Sequence, residues 1–280
     1  MLCNLKEAAR IAIAENSGLP AFNVFGYEDA AAVISAAERM NRPVVLMTNK
    51  VAVAHMGIPV LAGMLLEMAR RSEVPTCVHL DHATELADIR QAVDSGYTSV
   101  MIDGSSKPYD ENVSLTREAV ALAKEYGASV EAEIGIVTGH EGKEFHIEEP
   151  GAAYTDPELA ARFVKDTGID ALAASVGTVH GFYATKPKLD FERIEKIKEL
   201  TGLPLVMHGG SGISVEDTQR AIRCGIRKIN YFSYMSNAGV RAVKELLAEK
   251  DVKYFHDLAG AAVDGMEKDV LSAMGMFALE

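Results

Sequence analysis

The sequence predicts an α/β chain folded as a (β/α)8 TIM barrel. Eight short β-like runs alternate with helical patterns along the chain. Several of the runs are continuously apolar, as strands buried on both faces of a parallel sheet are. The glycine fingerprints of an open doubly wound sheet are missing: no G-x-G-x-x-G or GK[ST] occurs, and the first run leads into Gly-Tyr-Glu-Asp (26–29). A 280-residue chain is the right length for such a barrel.

The elements follow in order. MLCNLKEAARIAIAEN (1–16) reads as a charged amphipathic helix with no signal-peptide core. AFNV (21–24) is the first strand and YEDAAAVISAAERM (27–40) its helix, with VVLM (44–47) second. The apolar stretch from Gly57 is interrupted by Glu67 and is too short to cross a bilayer, which takes about 18 residues. TCVHL (76–80) is the third strand, followed by the helix ELADIRQAVDSG (85–96). SVMI (99–102) is the fourth, followed by ENVSLTREAVALAKEYG (111–127), and SVEAE (129–133) is the fifth. Residues 134–155 form a long, polar, Gly-rich connection, read as a functional loop of lid type. The helix 156–168 opens on Asp156-Pro157 and closes on Gly168, and ALAAS (171–175) is the sixth strand. FERIEKIKELTG (191–202), PLVMH (204–208), SVEDTQRAIRCG (214–225) and RKIN (227–230) complete the alternation. Residues from Asp251 to Glu280 read as a helical tail packing on the barrel or on a partner subunit, and residues 1–280 as one domain.

Composition narrows the function. With 28 Lys+Arg against 40 Asp+Glu the net charge is −12, the wrong sign for the basic stripe of a nucleic-acid binder. No run is long enough for a membrane span. Cys3, Cys77 and Cys224 are far apart and form no C-x-x-C, so neither a disulfide framework nor a cysteine zinc site is expected. The chain reads as a reduced, cytoplasmic protein that acts on a small molecule.

Active sites of this fold lie where the strands end, and polar residues gather there. The ends carry Asn23, then His79, Asp81 and His82, then Asp103, then Glu131 and Glu133, with His180 just beyond strand six, His208 at strand seven and Asn230 at strand eight. Burying so many polar groups is costly unless they have partners or a task. His82, His180 and His208, brought from three strands with a position left open, describe a catalytic zinc site. Asp81 beside His82 is placed to move protons at a metal-bound substrate or to orient an imidazole. Alternation puts His79 on the face of Asp81 rather than that of His82. His55, His140, His146 and His256 stay outside the ligand set. Glu131 and Glu133 share a face of strand five as interior acids, groups behind the ligands, or ligands of another cation. The run His208-Gly209-Gly210-Ser211-Gly212 before a helix near Ser214 is a phosphate cradle, which SVGTVHG (175–181) and Ser233 could complete.

Taken together and in order, VHLDHA (78–83), YTSVMIDGS (97–105), VEAEIG (130–135), SVGTVHG (175–181), VMHGGSGI (206–213) and KIN (228–230) resemble the motif series of class II, metal-dependent ketose-bisphosphate aldolases. The resemblance runs from Pro20 to about residue 247. It implies reversible cleavage of a ketose (bis)phosphate to dihydroxyacetone phosphate and an aldehyde through a zinc-stabilised enediolate. His82, His180 and His208 would hold Zn2+, with Glu133 behind them or at an alternative metal position. Asp81 would exchange the proton of the hydroxyl at the bond being cleaved, and Glu141 the proton on the nucleophilic carbon. Gly181, Gly209, Ser211 and Ser233 would hold the phosphate, with a monovalent cation (Na+ or K+) near Gly181. Asn230 would contact the dihydroxyacetone part, with Asn23 and Gly210 also at the substrate. Members are homodimers or homotetramers.

The chain departs from the pattern in places. Asn-Tyr-Phe-Ser (230–233) stands where relatives have N-V-A-T or N-I-D-T, so Tyr231 and Phe232 are expected to reshape the pocket. Asp251-Val252-Lys253 replaces D-P-R. A Schiff-base route would need a lysine projecting into the barrel; strand six has none, and Lys228 begins strand eight rather than ending it. The competing functions are a metal-dependent sugar-phosphate isomerase or epimerase, and a sugar-phosphate-binding protein without catalysis.

Overall fold

The computed structural model describes residues 1–135, 154–183 and 187–279 in full and residues 139–145 as backbone. Eight parallel strands close on themselves: β1 (Leu19–Asn23), β2 (Val44–Thr48), β3 (Thr76–Ala83), β4 (Ser99–Ile102), β5 (Ser129–Ile134), β6 (Ala171–Ala174), β7 (Leu205–Met207) and β8 (Ile226–Tyr231). Each pairs with its neighbours in sequence, and β8 returns to β1 with Asn230 opposite Ala21. A two-residue strand, Leu2–Cys3, pairs in parallel with Thr76 and Cys77 at the start of β3.

Period-two alternation sorts the strand residues into two cores. Phe22, Leu46, Val78, Val100, Val130, Leu172, Leu205 and Ile229 face outward against the helices. Leu19, Ala21, Val45, Met47, Cys77, Met101, Ala173 and Val206 face the lower barrel interior. There they meet Leu5, Ala8, Ala9 and Ala12 of α1 (Leu5–Ala14), which plugs the bottom. The α1 helix is started by a capping box, in which Asn4 accepts from Glu7 N–H and Glu7 accepts from Asn4 N–H.

The other helices are α2 (Tyr27–Met40), α3 (Lys50–Met56), α4 (Ile58–Arg71), α5 (Leu86–Asp94), α6 (Tyr109–Glu125), α7 (Pro157–Thr167), α8 (Phe191–Thr201), α9 (Val215–Cys224), α10 (Ser233–Glu249) and α11 (Phe255–Met276). The tail is α11, which packs on α10 and α2 and buries Met266, Val270, Ala273 and Met274. No single helix among the described residues is long and apolar enough to cross a membrane.

Beyond the short strand Leu2–Cys3 inside the segment read as a helix, two features differ from the sequence reading. The connection 134–155 is not loop throughout. Gly139–Phe145 forms a strand that pairs in parallel with His180–Tyr183, making a ribbon outside the barrel. GHEGKEF has no hydrophobic alternation, so only the pairing partner reveals it. Strand three also runs three residues past its expected end, with an irregularity between Leu80 and Ala83 and a left-handed φ of 52° at His82.

Candidate active site

The left-handed turn at His82 makes the site. Alternation brings Cys77, His79 and Asp81 inward and would send His82 out to the helices. A positive φ on a residue with a Cβ costs roughly 1–2 kcal/mol. Here it turns His82 back toward the barrel mouth, so two adjacent residues serve one site. Strain of this kind gathers at functional positions.

Three imidazoles meet over the barrel axis. Nδ1 of His208 lies 2.8 Å from Nε2 of His82 and 3.3 Å from Nε2 of His180. One nitrogen from each ring falls within a 4.8 Å cluster. Two of the rings are oriented from behind by carboxylates. His82 Nδ1 is 2.9 Å from Asp103 Oδ2, and Asp103 accepts from the amide and hydroxyl of Ser105. His208 Nε2 is 2.9 Å from Oε1 of Glu131. Lone pairs turned toward a common point, with carboxylates on the distal nitrogens, fit a divalent metal. His82, Asp103 and Glu133 form a second group with metal-ligand spacing.

Asp81 is 2% exposed and accepts from Nδ2 of Asn23, two strands away on β1, at 3.1 Å. Burial alone would raise its pKa, but positive charge at His82 above all, then at His208 and Lys228, holds it down to about 2. Burial works against charge on His82, yet the carboxylates of Asp81, Asp103 and Glu133 outweigh it and push that imidazole up to about 10. Oδ1 of Asp81 and Oδ1 of Asn230 are buried acceptors with no hydrogen bond from the protein, a demand that a ligand can meet.

The cleft above them is lined by Asn23, Asp81, His180, Gly181, Gly209, Ser211, Asn230 and Ser233, together with Tyr231 and Phe232. Ser233 opens α10, and no side chain caps that helix, so its first N–H groups remain available to an anion. Gly209 takes φ 67°, and a Cβ there would lie 2.1 Å from the carbonyl oxygen of Val179. The phosphate-type loop and the His180 segment therefore touch backbone to backbone. Gly209→Ala should separate them. We expect its unfolding midpoint to fall by roughly 2–4 °C per kcal/mol of strain, with loss of affinity for phosphorylated substrate, measured by thermal melts and KM.

Not every expected residue sits as the sequence suggested. The amide of Gly210 donates to Asn230 O at 2.9 Å and is spent on the barrel wall. The ring of Tyr231 faces outward between Phe22 and Phe277, with centroids 5.7 and 6.2 Å away, so the aromatic change in the cleft rests on Phe232. Phe232 meets Phe25 at 5.0 Å and builds an apolar wall there. The side chain of Glu141 lies outside the described residues; its backbone belongs to the ribbon. Lys228 does project into the barrel, but it is 1% exposed and paired with Glu131 at 2.9 Å. Sequence reading missed Tyr183, whose hydroxyl donates to Gly209 O at 2.8 Å and accepts from Val179 N–H at 3.1 Å. Its place three residues after His180 was the available signal.

Comparison with known proteins agrees with this geometry. Residues 3–280 match the family model for class II fructose-bisphosphate aldolase. A fructose-bisphosphate aldolase of Geobacillus stearothermophilus is 39% identical over 282 residues, spanning 99% of this chain and 96% of that protein. The crystal structure of the YdjI aldolase from Escherichia coli K12 superposes with a TM-score of 0.88 at 32% identity, over 99% of this chain and 97% of that one. The fructose-bisphosphate aldolase of Campylobacter jejuni shares the fold, with a TM-score of 0.84 at 23% identity over 99% and 95% of the two chains. The chain therefore belongs to the class II fructose-bisphosphate aldolase family, whose members are metal-dependent lyases of ketose phosphates.

Proposed function

We propose that this chain reversibly cleaves a ketose (bis)phosphate to dihydroxyacetone phosphate and an aldehyde, with His82, His180 and His208 holding zinc. The observation that carries the reading is the convergence of three imidazole nitrogens beside a buried, ionised Asp81 in one cleft. A divalent ion there supplies a Lewis acid for the negative charge that C–C cleavage next to a carbonyl leaves on oxygen. Asp81, oriented by Asn23, takes the proton of the hydroxyl at the bond being cleaved and returns it in the condensation direction. Asn230 contacts the dihydroxyacetone part. Gly181, Gly209, Ser211 and Ser233 hold its phosphate against the start of α10, beside a monovalent cation (Na+ or K+) near Gly181. Gly210 supports strand β8 instead. Glu141 exchanges the proton on the nucleophilic carbon, and Glu133 with His82 and Asp103 offers an alternative metal position.

The test is a panel of ketose mono- and bisphosphates offered to the zinc-loaded protein, read as dihydroxyacetone phosphate release. Release from one member is expected; a carbon skeleton rearranged without fragmentation would move the reading to an isomerase or epimerase. Treatment with a strong chelator should abolish release and added zinc should restore it; full activity after chelation would end the metal reading.

Zinc uptake should also be pH-linked. With its pKa pushed up to about 10 by the carboxylates around it, His82 should carry a proton in the metal-free protein at neutral pH, so binding should expel about one proton, and affinity should fall as pH falls. Calorimetry in two buffers of different ionisation enthalpy measures that proton. The protein is expected to act as a cytoplasmic homodimer or homotetramer. Tyr254 and Phe255, 66% and 80% exposed at the start of α11, suit a second copy, and sedimentation tests it.

A further inference from the structure

Beneath the imidazoles lies a chain of buried charged groups that the reaction does not use. Lys228 on β8 is 1% exposed, and its Nζ lies 2.9 Å from Oε2 of Glu131 on β5. Glu131 is fully buried, and its other oxygen, Oε1, lies 2.9 Å from Nε2 of His208. The ring of His208 then presents Nδ1 to His82 and His180. A lysine and a glutamate in a barrel interior carry a heavy desolvation cost, and barrel closure does not require them. Their apolar neighbours in the barrel interior, Leu19, Ala21, Val45, Met47 and Val206, fill space without charge.

A competitor stands beside the pair. Nε2 of His79 lies 3.8 Å from the same Oε2 of Glu131 and 4.0 Å from Oδ1 of Asp81. His79 is fixed from its other side, with Nδ1 2.8 Å from the hydroxyl of Ser99. Without the ammonium, Glu131 could turn from His208 toward His79, and the ring of His208 would lose the contact that sets its rotation and tautomer.

We propose that Lys228 is a positioning residue of the metal centre. It anchors one oxygen of Glu131 so that the other holds His208 with its proton on Nε2 and its Nδ1 lone pair toward the metal position. Lys228 thus acts on the metal through two contacts, Lys228–Glu131 and Glu131–His208. The inference rests on the metal reading proposed above.

The experiment measures zinc affinity by competition with a chromophoric chelator, and the visible spectrum of the cobalt(II)-loaded protein. It uses the full chain as wild type, Lys228→Met, Glu131→Gln and the double variant, with circular dichroism to report folding. Lys228→Met should weaken zinc binding by about 10–100-fold and alter the cobalt spectrum, because partners behind a ligand carry effects of that size. The double variant should bind zinc no more weakly than the weaker single variant, since both changes break one chain. Wild-type affinity and an unaltered cobalt spectrum in folded Lys228→Met would overturn the inference, as would losses that multiply in the double variant. Should Lys228→Met fail to fold, Lys228→Gln, which removes the ammonium but leaves Glu131 a polar neighbour, decides: zinc binding about 10–100-fold weaker supports the inference, and wild-type affinity overturns it. Wild-type protein that takes up no zinc would sink the metal reading itself, a result separable from all of these.

Discussion

Asp81→Ala should lose turnover by roughly 10²–10⁴-fold while keeping its zinc, the range a positioned acid–base group supplies. The carboxylate is 2% exposed, oriented by Asn23, and adjacent to His82, one of the three clustered rings proposed to hold the metal. Its pKa of about 2 keeps it ionised at neutral pH, so it is ready to take a proton in the cleavage direction. Steady-state kinetics and metal analysis on the same preparation check both halves. Zinc lost together with turnover would make Asp81 a structural support of the site. The depressed pKa has a stability consequence as well. The group favours the folded state above its ordinary value near pH 4, and that contribution drains away as pH falls through about 2. Asp81→Asn should therefore flatten the acid limb of the stability curve.

His82→Ala should abolish both metal and cleavage. The variant keeps two of the three imidazoles, and it strips Asp103 of the ring nitrogen 2.9 Å away. It also leaves a Cβ at φ 52° with nothing to justify the strain. His82→Gly should lose metal and activity equally, yet stay about 1 kcal/mol more stable than His82→Ala, because glycine adopts that backbone freely. Zinc content by elemental analysis and denaturant midpoints separate the two effects. Retained stoichiometric zinc in either variant would remove His82 from the ligand set.

Much of this architecture can be read from residues alone, for a physical reason. Buried parallel strands must be apolar, so VVLM and SVMI announce themselves, and a polar residue ending such a run, as Asp103 and Asn230 do, has nowhere to go but the barrel mouth. Alternation, followed strictly from Asn230, also sends Tyr231 outward, where its ring is found, and Lys228 inward. The failures come where local pattern gives way to tertiary contact. His82 breaks the period through a backbone angle that no side-chain sequence encodes. The ribbon strand Gly139–Phe145 exists by pairing with His180–Tyr183, a partner nearly forty residues on. Gly210 looked identical to Gly209 in a run of small residues; only the fold decides that one lines the cleft and the other abuts Ile229.

The plug at the barrel floor governs traffic. With Leu5, Ala8, Ala9 and Ala12 filling the lower interior, the described residues leave the cleft open at the barrel mouth and closed at its floor. One substrate goes in and two fragments must come out, past each other and through the same opening. A fragment that has not yet left meets its former partner still in place, and condensation then competes with release.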